Sequence, residues 1–245
     1  MQTLTIDSPQ PAAYTLEDQR RMSVAKNYFA WQGRLVSREI GRRVIELGCG
    51  VGNFTGTLLD REAVMALDKE PSCIERLKLR YPNRHNLDTF TCDADVLDER
   101  RCELAGFGAD SCVCLNVLEH IGDDAKALRA MASILTPGGV IVLLVPAFPA
   151  LYGPIDKNLG HHRRYTRNSI TQPAASAGLR VKKAHYFNCV GFLGWWINSH
   201  ILKREAQSEK QIETFDRLVP VLSRMEDIAH PPFGQSLFVV LQKPC

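Results

Sequence analysis

Two groups of residues in this 245-residue chain have types and spacing suited to chemistry. The first is Glu46-Leu47-Gly48-Cys49-Gly50-Val51-Gly52-Asn53. Glycine at alternate positions lets the chain turn sharply and brings bare backbone against a ligand. Glu46, inside the run, would repel a pyrophosphate and welcome a cationic or amine-bearing ligand. The second group is Gly160-His161-His162-Arg163-Arg164-Tyr165. An arginine there can hold a carboxylate or phosphate through paired hydrogen bonds. A histidine can act as general base near neutral pH, and His120 is a further candidate for that task.

The flanking sequence says what positions these groups. Val44, Ile45 and Leu47 read as a buried strand running into the glycines, and Phe54, Leu58 and Leu59 as a helix over 53–60 whose first N–H groups point back at the ligand. Strands follow at 63–67, 88–92, 110–115 and 140–145, with helices at 72–80, 97–104 and from Asp123-Asp124 to about Leu135. Pro137-Gly138-Gly139 separates that last helix from its strand. The alternation predicts a doubly wound α/β sheet. After Pro146 comes a long loop, 146–167, at the carboxyl edge where open α/β sheets bind ligands. A helix at 168–177 and strands at 181–187 and 236–242 complete the pattern, and 15–40 reads as helices interrupted at Gly33. Residues 1–14 read as loose.

Glu46-Leu-Gly-Cys-Gly-Val-Gly52 resembles motif I of the class I S-adenosylmethionine-dependent methyltransferases. Ala66-Leu67-Asp68, Thr91-Cys92-Asp93-Ala94-Asp95 and Asn116-Val-Leu-Glu-His-Ile121 fall where that family has its later landmarks. The resemblance covers 43–145. It implies a Rossmann-like, seven-stranded, mostly parallel sheet with an antiparallel last strand, N-terminal helices, and S-adenosyl-L-methionine as cofactor, released as S-adenosyl-L-homocysteine. It also implies roles. Glu46 would attract the methionine amino group, and Gly48, Cys49, Gly50 and Asn53 would pass close to the methionyl end. Asp68, with Lys69 beside it, would hold the ribose hydroxyls. Asp93 and Ala94 would bind adenine, and Asn116, Val117 and Leu118 would border the sulfonium. Tyr28 and Trp31, on the N-terminal cover (15–40), can close over the cofactor or merely pack the helix on the sheet. Segments similar to Gly-His-x-Arg-Arg-Tyr, preceded by a Leu-Tyr-Gly stretch as at Leu151-Tyr152-Gly153, occur in a bacterial subgroup.

The chain reads as one domain, 1–245, with an insertion at 188–235 before the last strand. That insertion is expected to form a helical cap. A dimer interface and a membrane-surface helix at 190–204, with Lys203 and Arg204 beside paired tryptophans, are the other readings. Loop and cap together are expected to build the acceptor pocket. His161, His162 and Tyr165 would serve as ionisable groups, Tyr152, Arg163 and Arg164 as polar contacts, and Phe192, Trp195 and Trp196 as apolar lining.

The expected reaction is methyl transfer to an oxygen of a small natural-product or lipid-like metabolite. N- or C-methylation, nucleic-acid methylation and non-catalytic cofactor binding are alternatives. A nicotinamide oxidoreductase would want glycine at position 53, which is Asn. The net charge of +3 gives no general affinity for nucleic acid, and Asn116-Val-Leu-Glu119 lacks the Pro-Pro-aromatic step of base-amino methyltransferases. The eight cysteines include no C-x-x-C pair, so reduced thiols, no metal and a cytoplasmic setting are expected. No stretch is long and apolar enough for a transmembrane helix. Peripheral membrane contact and a monomer or homodimer are compatible with the sequence.

Overall fold

The computed structural model describes residues 16–204, 206, 208–229 and 231–245. The loose segment expected at 1–14 lies outside them. Helices α1 (Leu16–Met22) and α2 (Lys26–Ser37) precede β1 (Arg43–Leu47). Then come β2 (Ala63–Asp68), α3 (Pro71–Arg80), β3 (Leu87–Thr91), α4 (Arg101–Ala105), β4 (Ala109–Leu115), α5 (Asp124–Ser133) and β5 (Leu135–Pro146). The remainder is α6 (Pro154–Asn158), α7 (Thr171–Ser176), β6 (Arg180–Phe187), α8 (Cys189–Trp196), α9 (Glu209–Ala229) and β7 (Ser236–Gln242).

The seven strands form one sheet in the order β3-β2-β1-β4-β5-β7-β6. β1 to β5 pair in parallel, and β7 runs antiparallel to both β5 and β6. This is the expected Rossmann-like sheet. The central strands are apolar on both faces because helices cover both: Val44, Ile45, Cys112, Val113, Ile141 and Val142 are fully buried. One layer packs α5 and α7 on the sheet, with Leu128, Met131 and Ile170 in the core. The other packs α2 and α9, with Trp31 and Phe187 rings 4.2 Å apart.

Local chemistry sets several boundaries. Pro71 opens α3, where its missing N–H costs nothing. Asp123 caps α5 by accepting from the Lys126 N–H at 2.8 Å. The start of α2 has no such neighbour in sequence, and Asp216 of α9 supplies the acceptor instead, taking the N–H groups of Asn27 and Tyr28 at 3.2 and 2.8 Å. Glu226 of α9 likewise accepts from the Asn188 and Cys189 N–H groups at the head of α8 (2.6 and 2.8 Å). The insertion is therefore tied to the N-terminal cover through Asp216, and its α9 to the head of its own α8 through Glu226.

Three expectations change. The chain break in the N-terminal cover falls at 23–25, and α2 runs through Gly33, whose missing side chain lets Thr57 approach: a Cβ there would lie 3.0 Å from Thr57 Cβ. The helix expected over 53–60 is one 3-10 turn, Thr55–Leu58. β5 begins at Leu135, so Pro137-Gly138-Gly139 lies within the strand, beside an irregularity in its pairing with β4. Within 188–235, α9 is a single helix from Glu209 that tolerates Pro220 in its interior.

Candidate functional site

The glycine turn after β1 is built as its sequence suggests. Gly48, Gly50 and Gly52 all have positive φ (78°, 53° and 81°), a region closed to most side chains. Their neighbours are close as well: a Cβ on Gly48 would strike Val117, and one on Gly50 would strike Gln19. The Asp68 carboxylate fixes the turn, accepting from the Gly50 N–H (2.7 Å) and the Glu70 N–H (2.9 Å). Gln19 of α1 bridges the far side, accepting from the Val51 N–H at 2.8 Å, while its carbonyl takes the Asn53 amide at 2.8 Å. Spacing gave no hint of Gln19, which reaches the turn from outside the motif.

These residues border one cavity of about 980 Å³. Its first part is lined by Glu46, Gly48, Cys49, Gly50 and Asn53 from the turn, with Asp68 and Lys69 from the end of β2. Asp93 and Ala94 follow β3, and Asn116 and Val117 follow β4. Tyr28 is among its lining residues, whereas Trp31 is 2% exposed and belongs to the core. Leu118 departs from expectation. It is fully buried among the core residues under the sheet edge and does not reach the cavity. Glu46 is buried, and its Oε2 has no hydrogen-bond partner among the described residues. Burial pushes its carboxyl up to about 7.

The second part of the cavity runs beneath the 188–235 insertion. Val190, Leu193, Trp195, Ile212 and Phe215 supply apolar lining from α8 and α9. Glu119, His120, His161 and Arg164 add a polar wall to the lining. Asp156 organises it: its Oδ1 meets His161 Nδ1 at 2.8 Å and accepts from Arg164 Nε at 2.9 Å. Burial alone would raise the Asp156 carboxyl, but His161 and Arg164 outweigh it and hold it below the usual carboxylate value. Arg164 also donates to the Ala147 carbonyl (3.0 Å), and its guanidinium lies 4.6 Å from the Trp195 ring. Glu119, fully buried, is pushed up to about 7 by burial. His120 is pushed down to about 4, by burial first and by neighbouring His161 second.

The loop 160–165 therefore divides. His161 and Arg164 face the cavity, but their neighbours do not. His162 is exposed, and its backbone N–H donates to the Glu119 carbonyl at 2.8 Å. Arg163 pairs with Asp124 at 2.9 Å and donates to the Gly122 carbonyl, so its fork is occupied at the head of α5. Tyr165 is 1% exposed and donates to Asp124 at 3.2 Å. Tyr152 donates its hydroxyl to the His161 carbonyl at 2.8 Å and supports the loop from outside. Trp196 turns outward and stacks on His200, their ring centroids 6.1 Å apart. Sequence reasoning missed Asp156, whose signal was an acid between Pro154 and the basic cluster, and it undervalued Glu119.

Comparison with known proteins agrees with this geometry. Residues 45–141 match a family model described as a methyltransferase domain. Over 154 residues the chain is 27% identical to a Mycolicibacterium smegmatis protein named as a probable S-adenosylmethionine-dependent methyltransferase, covering 61% of this chain and 56% of that one. Over 107 residues it is 33% identical to the ubiquinone biosynthesis O-methyltransferase of Xanthomonas axonopodis pv. citri, covering 42% of each. The chain thus spans about half the length of the curated relatives it matches. Among solved structures it resembles a chain from the complex of the Haloferax volcanii Trm112 methyltransferase activator with its methyltransferase. That similarity has a TM-score of 0.64 at 18% identity and covers 94% of this chain and 96% of that one. The matched segment holds the glycine turn and the acids after β2 and β3, on a sheet of the same fold. Residues 45–141 are thus similar to a methyltransferase domain, and the sheet that carries them has the fold of solved S-adenosylmethionine-dependent methyltransferases.

Proposed function

We propose that the protein transfers the methyl group of S-adenosylmethionine to an oxygen of a small, largely apolar hydroxylated metabolite. The observation that carries this reading is the continuity of the cavity. The glycine turn with its strand-end acids and the residues of the 188–235 insertion line one and the same space, together with Asn116, Val117, Glu119, His120 and His161. A volume of about 980 Å³ is at the upper end of the roughly 300–1,000 Å³ typical of small-molecule sites, which suits a cofactor with an acceptor beside it.

Methyl transfer is an in-line displacement at carbon, with a sulfonium as leaving group. The protein therefore needs to align the acceptor, keep water out and deal with one proton. Leu193, Trp195, Ile212 and Phe215 offer an apolar bed, and the polar wall is the place for the reacting hydroxyl. The O-methyltransferase name of the Xanthomonas relative supports oxygen as the accepting atom. The test is incubation with methyl-labelled cofactor and a panel of hydroxylated aromatic and isoprenoid compounds. Label extracted as a methyl ether supports the reading, and label found only on nitrogenous or nucleic-acid acceptors overturns it.

Cofactor binding gives two more direct checks. Calorimetric titration is expected to show S-adenosylhomocysteine binding, with NAD and NADP silent. The affinity should also depend on pH through Glu46. The ligand's ammonium group pairs with the ionised carboxylate, so a carboxyl near 7 must lose its proton on binding. Affinity is then highest above pH 8 and falls roughly tenfold by pH 6, where most Glu46 is neutral. Glu46→Gln should bind weakly and flatten the profile. A wild-type affinity constant between pH 6 and 8 would remove Glu46 from the ammonium site.

A further inference from the structure

Glu119, His120 and His161 meet at the polar wall from two separate segments, and each offers one ligand atom within 4.8 Å of the others. Glu119 is 0% exposed, yet neither carboxylate oxygen has a hydrogen-bond partner among the described residues. A buried carboxylate left without donors is unfavourable unless a cation or another group occupies the space before it. His161 is prepared for ligation. Its Nδ1 is taken by Asp156 at 2.8 Å, which directs Nε2 to a point 3.9 Å from Glu119 Oε1. A carboxylate behind a histidine is the usual outer support of a metal-bound imidazole. His120 is hydrogen-bonded to the Gly160 backbone and stands edge-on to His161, their ring centroids 4.7 Å apart at 85°.

We propose that Glu119, His120 and His161 bind a divalent first-row transition ion, zinc above others, with an open coordination position facing the acceptor end of the cavity. Two imidazoles and one carboxylate form a donor set that suits zinc and leaves such a position open. Bonds of about 2.1 Å place tetrahedral ligand atoms about 3.4 Å apart, so the 3.9 Å gap between His161 and Glu119 closes with a small side-chain movement. The sequence pattern concealed the cluster because α5 and β5 lie between its two halves, and no metal was expected.

The acceptor's part in this inference rests on the methyl transfer proposed above. An acceptor hydroxyl on the open position becomes more acidic beside the ion. Its proton passes to solvent, its oxygen attacks the methyl carbon, and the carbon–sulfur bond breaks with the electron pair left on sulfur. The products are a methyl ether and S-adenosylhomocysteine.

The test uses the full chain, stripped with a chelator and titrated with Zn²⁺ by calorimetry and with Co²⁺ by visible absorption. One equivalent should bind, with cobalt d–d bands and no thiolate charge-transfer band. Glu119→Gln and His161→Ala should each weaken Zn²⁺ binding by 100-fold or more while changing S-adenosylhomocysteine affinity less than about threefold, which also reports that each variant is folded. No binding, binding indifferent to either substitution, or a thiolate band would overturn the site. If S-adenosylhomocysteine itself fails to bind the wild-type protein, the methyltransferase reading fails separately. If it binds and zinc does not, only the metal inference falls.

Discussion

Replacing Asp68 with alanine is expected to weaken S-adenosylhomocysteine binding a hundredfold or more in calorimetric titration. Two losses combine. In the family's binding mode this acid holds both ribose hydroxyls, and hydrogen bonds to a charged acceptor contribute about 1.5–3 kcal/mol each. The same carboxylate also accepts from the Gly50 and Glu70 N–H groups, at 2.7 and 2.9 Å. Without it the glycine turn loses the clamp that keeps three consecutive alternate residues at positive φ. The unliganded protein should therefore melt at a lower temperature as well. Asp68→Asn separates the effects, since its amide oxygen can still accept one backbone N–H while the charge is gone. It should recover most of the thermal stability and little of the affinity. Unchanged affinity in Asp68→Ala would place the ribose elsewhere.

What could be read from the sequence follows a physical division. The glycine turn and its flanking strands were legible because their requirements are local. Positive φ demands glycine at 48, 50 and 52, and a parallel strand buried on both faces demands the unbroken apolar runs of β4 and β5. Each acid sits at a strand end, so topology alone brings Glu46, Asp68 and Asp93 to one edge. The polar wall beneath the insertion was only partly legible because its geometry is long-range. Which of two adjacent histidines or arginines faces inward depends on a loop anchored by Asp156, Glu119 and Asp124, and no periodicity encodes that. The caps of α2 and α8 show the same limit. Asp216 caps α2 from α9, far along the chain, and Glu226 adds to the local Asn188 cap of α8, so the start of α2 had no sequence signature and that of α8 only part of one.

Arg164 shows how far this changes an expected phenotype. On sequence, Arg164→Ala would depress methyl transfer and leave S-adenosylhomocysteine affinity nearly intact, because the guanidinium would be holding an acceptor carboxylate or phosphate. In the structure its side chain is already engaged by Asp156, the Ala147 carbonyl and the Trp195 ring. Asp156 is 0% exposed, so removing the arginine leaves a buried carboxylate with one ionisable partner, His161. Breaking a buried pair from one side typically costs about 3–5 kcal/mol, because the remaining charge is uncompensated. For a chain of this size each kcal/mol lowers the melting temperature by roughly 2–4 °C, so a fall of roughly 10 °C is expected. The double variant Asp156→Asn/Arg164→Met removes both charges and keeps an apolar stem under Trp195. It should be more stable than Arg164→Ala alone, although it carries one more substitution. Urea unfolding of the three proteins measures this directly. A single variant as stable as the wild type, with only its acceptor KM raised, would return Arg164 to the role of a substrate contact.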